Sequence, residues 1–352
     1  MNLVFPMASV IVVNYNGREF LEDCFRSLGN LDYPAYEVIM VDNASTDGSV
    51  GHVRERFPWV RVVGLDENKG FAEGSNWGVT HAKGELVAFL NNDVEVDVRW
   101  LIELVKVVLS DEKIASCGSK LLFHERRDTI NHAGAMLDYS GGGYDRGFGE
   151  FDGEKFNKIG ITGCTSGGAM LVRKDVFCKL GGFDPDYYAY FEDVDLGLRA
   201  WEFGYKMMYV PSSIAYHKFG GSFGKKTSSA RIYYCQKNRL ANVIKHFEAK
   251  TIIKAMVVSL AYDTYRILRF IRHKKYESAK AIIKGSETFL KGLDTSIKKR
   301  SYIQKNRILS DSQIRQLGII ASLRDMINDQ TRLEKLKIFD SKTMNVPHLY
   351  ES

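Results

Sequence analysis

At 352 residues, with 45% hydrophobic and 26% charged side chains, the chain has the composition of a soluble globular protein and the length of one large domain or a domain with an appendage. Its five cysteines, Cys24, Cys117, Cys164, Cys178 and Cys235, lack CxxC spacing, which argues against a zinc cluster or a disulfide framework. The net charge of +6 is divided: residues 1–217 hold 21 Lys+Arg against 32 Asp+Glu, and residues 218–352 hold 28 against 11, so an acidic half precedes a strongly basic one.

In chain order, Ser9-Val10-Ile11-Val12-Val13 is a β-branched apolar run that ends at Asn14-Tyr15-Asn16-Gly17. Phe20, Leu21, Cys24, Phe25 and Leu28 then recur on one helical face. Tyr36 to Val41 repeats the plan and runs into Asp42-Asn43-Ala44-Ser45-Thr46-Asp47-Gly48 and a helix to about Phe57. Val60 to Leu65 is a third strand, followed by Asn68-Lys69-Gly70-Phe71 and a helix to about Ala82. Leu86-Val87-Ala88-Phe89-Leu90 is the fourth, running straight into Asn91-Asn92-Asp93, with a helix from Asp97 to Leu109 behind it. Alternating strands and helices predict an α/β, mostly parallel doubly wound sheet, because parallel strands need crossover helices on both faces.

In all four units the residues just past the strand are small or polar, and in such sheets ligands bind outside the carboxyl ends of the strands. No GxGxxG or GxxxxGK[ST] loop is present, so neither a dinucleotide nor a P-loop mode is supported. Taken singly, each polar cluster is equally a turn or a helix cap.

The four loops together, Ser9 to Asn16, Val41 to Gly48, Asn68 to Ala72 with Asn76, and Leu90 to Asp93, resemble the nucleotide-sugar motifs of the family 2 glycosyltransferases with the GT-A (Rossmann-like) fold. A second block is similar to the acceptor half of that domain: Gly167 to Arg173, Gly181-Gly182-Phe183-Asp184, and Tyr190 to Leu196 with Arg199. The resemblance covers roughly residues 7 to 240 and is nearest to rhamnosyltransferase-type members that build cell-surface glycans.

It implies a nucleotide-sugar site built from Val13, Asn14, Tyr15, Asp42, Asn43, Asn68, Gly70, Phe71, Asn76, Asn91 and Asn92. Asp42 would accept from the base N3–H and Tyr15 would pack on the ring, which favours a UDP- or dTDP-sugar donor. An Asx turn and a core aromatic are the structural alternatives for these two. The resemblance further implies a divalent metal, Mn²⁺ or Mg²⁺, on Asp93. The family often carries Asp-x-Asp; here Asn91 takes the first position and only one carboxylate remains. His217 corresponds to a histidine that some relatives use as a second ligand, and is otherwise a buried histidine satisfied by a carbonyl. Asp193 is assigned as general base, in the first turn of a helix whose dipole would keep it ionised, with Val194, Leu198, Trp201 and Tyr205 on one face. Glu192 is the alternative base or orients the acceptor, and both are also ordinary first-turn acids.

Two glycine-rich stretches interrupt the acceptor half. Residues 220–226 are expected to close on the diphosphate, and residues 140–147 to form a solvated hairpin loop. Beyond Ser228, apolar residues from Leu240 to Ile271 fall at helical spacing among lysines and arginines, which predicts two amphipathic helices and a third over Tyr276 to Leu290. Their stripe is expected to pack on the catalytic domain, on a second subunit in a homo-oligomer, or on a membrane surface. Nucleic acid is not expected as a partner, because aromatics are not interleaved with the charges.

The expected domains are a GT-A catalytic domain at 1–225, with a nucleotide-sugar half at about 7–125 and an acceptor half at about 126–225, a basic helical region at 226–335, and a tail at 336–352. The first residues lack a signal-peptide pattern, and charges interrupt residues 251–271, so a cytoplasmic protein, at most peripheral at the inner membrane face, is expected. The expected activity is inverting transfer of a sugar to a hydroxyl of a glycan or lipid-linked acceptor. A catalytically silent nucleotide-sugar-binding scaffold is the alternative.

Overall fold

The computed structural model describes residues 5–218 and 229–321; the 220–226 stretch and the 336–352 tail lie outside the described residues. The first half runs β1 (Ala8–Asn14), α1 (Arg18–Leu28), β2 (Tyr36–Asp42), α2 (Ser49–Arg56), β3 (Arg61–Gly64), α3 (Gly70–His81), β4 (Leu86–Asn91), β5 (Val94–Val96) and α4 (Trp100–Leu109). It continues with β6 (Ile114–Phe123), β7 (Arg126–His132), β8 (Ala135–Leu137), β9 (Gly143–Asp145), β10 (Gly160–Ile161), β11 (Ala169–Arg173), α5 (Lys174–Lys179), α6 (Glu192–Glu202) and β12 (Lys206–His217). Five helices close the described chain: α7 (Ser229–His246), α8 (Ala249–Arg272), α9 (Tyr276–Lys291), α10 (Leu293–Asn306) and α11 (Asp311–Gln316).

The main sheet has the order β10-β12-β6-β11-β4-β1-β2-β3. β1 is parallel to β2 and β4, β2 to β3, and β12 to β6, whereas β11 runs antiparallel between β4 and β6. This is the mostly parallel doubly wound sheet expected, with helices following it. Strand side chains alternate between two cores, as the two-residue period of a strand demands. Val10, Val12, Ala88 and Leu90 meet Leu21, Phe25 and Trp100 on the side of α1 and α4. Ile11, Val87 and Phe89 meet Val79, Phe177 and Trp201 on the side of α3, α5 and α6. Gly78 lets α3 lie against the strands: a Cβ there would fall 2.5 Å from Ile11 Cγ2.

Several local expectations are corrected. The third strand spans Arg61–Gly64, and residues left unassigned before the Asp97 helix form β5, because Val94 and Val96 pair with His217 and Ala215 of β12. α6 ends at Glu202, so Tyr205 lies past the helix rather than on its face. Residues 140–147 do belong to a hairpin, β8–β9, but its turn is buried rather than solvated. Asn242 Nδ2 donates to the Gly141 carbonyl at 2.9 Å and Arg239 Nη1 to the Ser140 carbonyl at 2.8 Å, so α7 covers it.

The amphipathic stripe of the basic half divides. On α7, Leu240, Val243 and Phe247 just past its end are buried, the last two packing with Tyr139 of the catalytic body. On α8, Ile253, Val257, Leu260, Leu268 and Ile271 are exposed. α10 and α11 were not legible as separate helices. Beyond them the chain returns to β8, where Ala321 N donates to the Leu137 carbonyl at 2.8 Å. Among the described residues, no helix is long and apolar enough to cross a membrane.

Candidate active site

Parallel register brings the carboxyl ends of three strands to one edge: Asn14 lies beside Asp42, and Val13 beside Asn91. Strand order reverses between β1 and β4, the position at which open sheets of this kind bind ligands. Asn14, fully buried, ties the loops together: its Nδ2 donates to Ser45 Oγ at 3.1 Å and its Oδ1 accepts from Asn92 Nδ2 at 2.8 Å. Asn16 and Ala44 take the left-handed conformation, with φ of 50° and 63°, and Asn16 Oδ1 accepts from Thr46 N at 2.7 Å. Above these loops Tyr15 is 48% exposed, a ring face open to a ligand.

Asp42 accepts from Ser45 N through Oδ2 at 3.1 Å, while its Oδ1 is buried without a hydrogen-bond partner. An orphaned buried acceptor is costly unless a ligand donor satisfies it. Asn43 braces the next loop: its Nδ2 donates to the Gly70 carbonyl at 2.9 Å, and Asn68 Oδ1 accepts from Gly70 N at 3.0 Å. Gly70 has φ +81°, and a Cβ there would stand 2.4 Å from the Tyr188 carbonyl, so only glycine fits. Phe71 packs on Phe183 with ring centroids 5.9 Å apart, and Val13 packs at the edge of the same core. Asn76 is turned elsewhere. Its amide donates to the Phe183 carbonyl at 2.7 Å and accepts from Phe183 N at 2.9 Å, joining α3 to the segment before α6.

Pairing of β5 with β12 sets His217 opposite Val94, and His217 Nε2 lies 3.4 Å from Asp93 Oδ1. Asn131 Oδ1, 2.9 Å from His217 Nδ1, accepts its proton when Nε2 is the free nitrogen. A carboxylate and an imidazole so placed are donor types that a divalent cation takes. No group of three or more His, Cys, Asp or Glu that could hold a metal occurs among the described residues, so any ion here would draw its remaining ligands from elsewhere.

Asp193 is held at the N-terminus of α6 by Gly167 N to Oδ2 at 3.2 Å and by its neighbour Val194 N to Oδ1 at 2.8 Å. Gly168 of the same turn accepts from Asn91 N at 3.0 Å. The turn therefore links the Asp193 carboxylate to the strand end that carries Asn91-Asn92-Asp93. Burial raises the pKa of Asp193, partly offset by the two amide donors, so the helix terminus does not depress it as the sequence suggested. Glu192 is 6% exposed with Oε2 unpartnered, and burial beside Asp193 pushes it far higher. Environment thus treats the pair unequally: burial raises both, and Glu192 further than Asp193, which has two amide donors to its carboxylate. Burial raises the pKa of Tyr190, with Arg231 opposing it.

Sequence reasoning missed His132 and Asp145, which pair at 2.6 Å within electrostatic reach of Asp193. They sit on β7 and β9, and only the hairpin that the glycine-rich stretch forms brings them there. It also missed Tyr188 and Tyr234, whose rings stack at 5.0 Å.

Residues 9–181 match the family described as Glycosyl transferase family 2. The O-antigen biosynthesis protein RfbC of Myxococcus xanthus is 34% identical over 55% of this chain and 16% of its own length. The N-acetylglucosaminyl-diphospho-decaprenol L-rhamnosyltransferase of Mycobacterium tuberculosis is 28% identical over 62% of this chain and 78% of its own. The crystal structure of GalNAc-T7 with UDP, GalNAc and Mn²⁺ superposes with a TM-score of 0.57 at 19% identity, over 70% of this chain and 49% of that one, a likeness of GT-A-type fold. The chain spans between 16% and 38% of the length of three of the curated relatives it matches.

Proposed function

We propose that this chain, which belongs to glycosyl transferase family 2 through residues 9–181, is an inverting glycosyltransferase moving a sugar from a UDP- or dTDP-linked donor to a hydroxyl of a glycan or lipid-linked acceptor. The observation that carries this reading is the Gly167-Gly168 turn, which joins Asp193 to the Asn91 strand end through one hydrogen bond on each side.

The pyrimidine would lie over exposed Tyr15 and give its N3–H to the orphaned Asp42 Oδ1. Asp93 and His217 would hold a divalent cation, Mn²⁺ or Mg²⁺, which when bound neutralises charge on the departing diphosphate. The relative crystallised with UDP and Mn²⁺ supports a site of that kind. The diphosphate would supply further oxygen donors to that cation. Asp193 would accept the acceptor hydroxyl's proton while that oxygen bonds to the anomeric carbon. The carbon–oxygen bond to the diphosphate breaks in the same step and its electron pair leaves with the nucleotide, so one displacement inverts the centre. Neutral Glu192 could donate a hydrogen bond to the acceptor without repelling Asp193.

Donor-dependent release of nucleoside diphosphate, coupled to product formation with an acceptor and assayed with Mn²⁺ and Mg²⁺, tests the reading. Loss of turnover in Asp193→Asn with nucleotide-sugar binding and melting temperature retained is the expected result. A silent scaffold would bind the nucleotide sugar and release nothing in either protein.

A further inference from the structure

α8 offers a surface that the transferase reading does not use. Ile253, Val257, Leu260, Leu268 and Ile271 are 72%, 65%, 70%, 62% and 46% exposed. They recur at intervals of three, four or eight residues, with Thr264 filling the longest gap, and so form one stripe about 27 Å long at 1.5 Å per residue. The opposite face is the anchored one, where Ala255, Ser259 and Asp263 are buried. Asp263, the one acid on this helix, is directed inward, accepting from Arg239 Nη2 at 2.7 and 2.8 Å. The outward side of α8 therefore combines an aliphatic stripe with exposed Lys250, Lys254 and Arg272, continued by exposed Lys274 and Lys275 in the following turn.

We infer that this outer face of α8 docks in the plane of an anionic lipid bilayer, the aliphatic stripe entering the acyl boundary and the flanking lysines and arginines meeting headgroup phosphates. Charge selects this occupant. A second copy of the chain meeting the same face would bring basic residues against basic residues. A nucleic acid would find a single exposed ring, Tyr265, on this helix among aliphatic side chains, not the successive rings that stacking needs. A basic helix with a separate apolar face, too charged to span, is the pattern of in-plane membrane binding.

The test is co-sedimentation of the full chain with vesicles of phosphatidylcholine alone or mixed with phosphatidylglycerol. Wild type should sediment with the mixed vesicles and at least about tenfold less with the neutral ones. Val257→Glu with Leu260→Glu should lower binding to the mixed vesicles by about tenfold or more, with the melting temperature unchanged because both side chains are already exposed. Lys250→Glu with Arg272→Glu should weaken it and reduce its salt dependence. Absence of wild-type binding to mixed vesicles overturns the inference. So does equal binding by the Val257→Glu, Leu260→Glu protein, or a wild-type dimer in size exclusion that this pair of substitutions dissociates. Nucleotide release from a soluble donor, measured on the same proteins, separates the two readings: it should not respond to α8 variants and its failure would leave the vesicle result standing.

Discussion

Asn238, on α7, donates through Nδ2 to the Tyr190 carbonyl at 2.7 Å, and the same amide reaches the carbonyls of Tyr187 and Ala189 at 3.0 Å each. Between these carbonyls the backbone is held where side chains are rarely found, with φ of 61°, 68° and 65° at Tyr188, Tyr190 and Phe191. Each such residue costs on the order of 1–3 kcal/mol and persists because its surroundings over-determine it. The segment leads directly into Glu192 and Asp193, so α7 templates the loop that presents the candidate base.

Asn238→Ala should therefore destabilise the fold by about 1–3 kcal/mol, the cost of leaving buried carbonyls unsatisfied. Urea unfolding would show it as a lower midpoint at unchanged slope. A midpoint equal to wild type would mean the strained segment is held from elsewhere.

With Asp193 as the proposed base, its raised pKa should set the acid side of the pH dependence of turnover. Because burial raises Asp193, its basic form is lost at a higher pH than an ordinary carboxylate near 3.8 would lose it. The acid limb of kcat should fall above that value. Asp193→Asn should lower kcat by about 10²–10⁴-fold, whereas Glu192→Gln, replacing a neutral acid by a neutral amide, should cost far less. An equal loss in the two variants would transfer the base to Glu192 or to the pair.

The Asp93 and His217 contact makes a prediction about metal. Nucleotide binding should tighten with Mn²⁺ or Mg²⁺, and His217→Ala should weaken that dependence by at least the 10–100-fold that removing a mere supporting group of a metal site costs. Thermal shift with UDP, with and without ion, measures it directly, since a ligand of the folded state raises apparent stability. An identical metal effect in the variant would reduce His217 to its hydrogen bond with Asn131.

Strand ends were legible because each βα unit carries its own signal, a continuous apolar run broken by a polar cluster. Asn14, Asp42, Asn43 and Asn92 could thus be chosen from sequence, and parallel register sets their loops along one edge. What joins them was not legible. The closeness of His217 to Asp93 depends on antiparallel pairing of a three-residue strand, β5, too short to show a period of its own. Asn76 looked like a ligand residue and its amide is fully engaged with Phe183, a partner 107 residues away. Nothing local in Ser140 to Gly147 announced that α7 would bury it, because the buried face of a glycine-rich turn carries no hydrophobic period. The basic region misled in a different way: the stripe is continuous in sequence, but a break between α7 and α8 turns one part inward and leaves the other exposed.

His246 is fully buried on α7 with Nε2 2.9 Å from Asp195 Oδ1 and Nδ1 3.0 Å from Glu202 Oε2. Burial acts to lower its pKa, but the two carboxylates prevail and the net shift is upward from 6.5. The folded state then binds this proton more tightly than the unfolded chain does. Its stabilising contribution is present in full below about 6.5 and declines as pH rises through the folded value. Asp195 has the opposite sign. Burial works to raise its pKa, but Arg199 and Lys245 hold it well below 3.8, so its contribution is present above about 3.9 and is lost only as pH falls through the depressed value. Together they place the greatest stability of this network between about pH 4 and 6.5. The melting temperature should fall from pH 6 to pH 9, and His246→Gln should lower it at pH 6 while flattening that decline, because an amide carries no charge and does not titrate, and has both donors on one nitrogen whereas the carboxylates flank opposite ring nitrogens. A pH series of melting curves on the two proteins decides it: parallel slopes would mean that His246 stays neutral in the folded chain and that Arg307 alone neutralises Glu202.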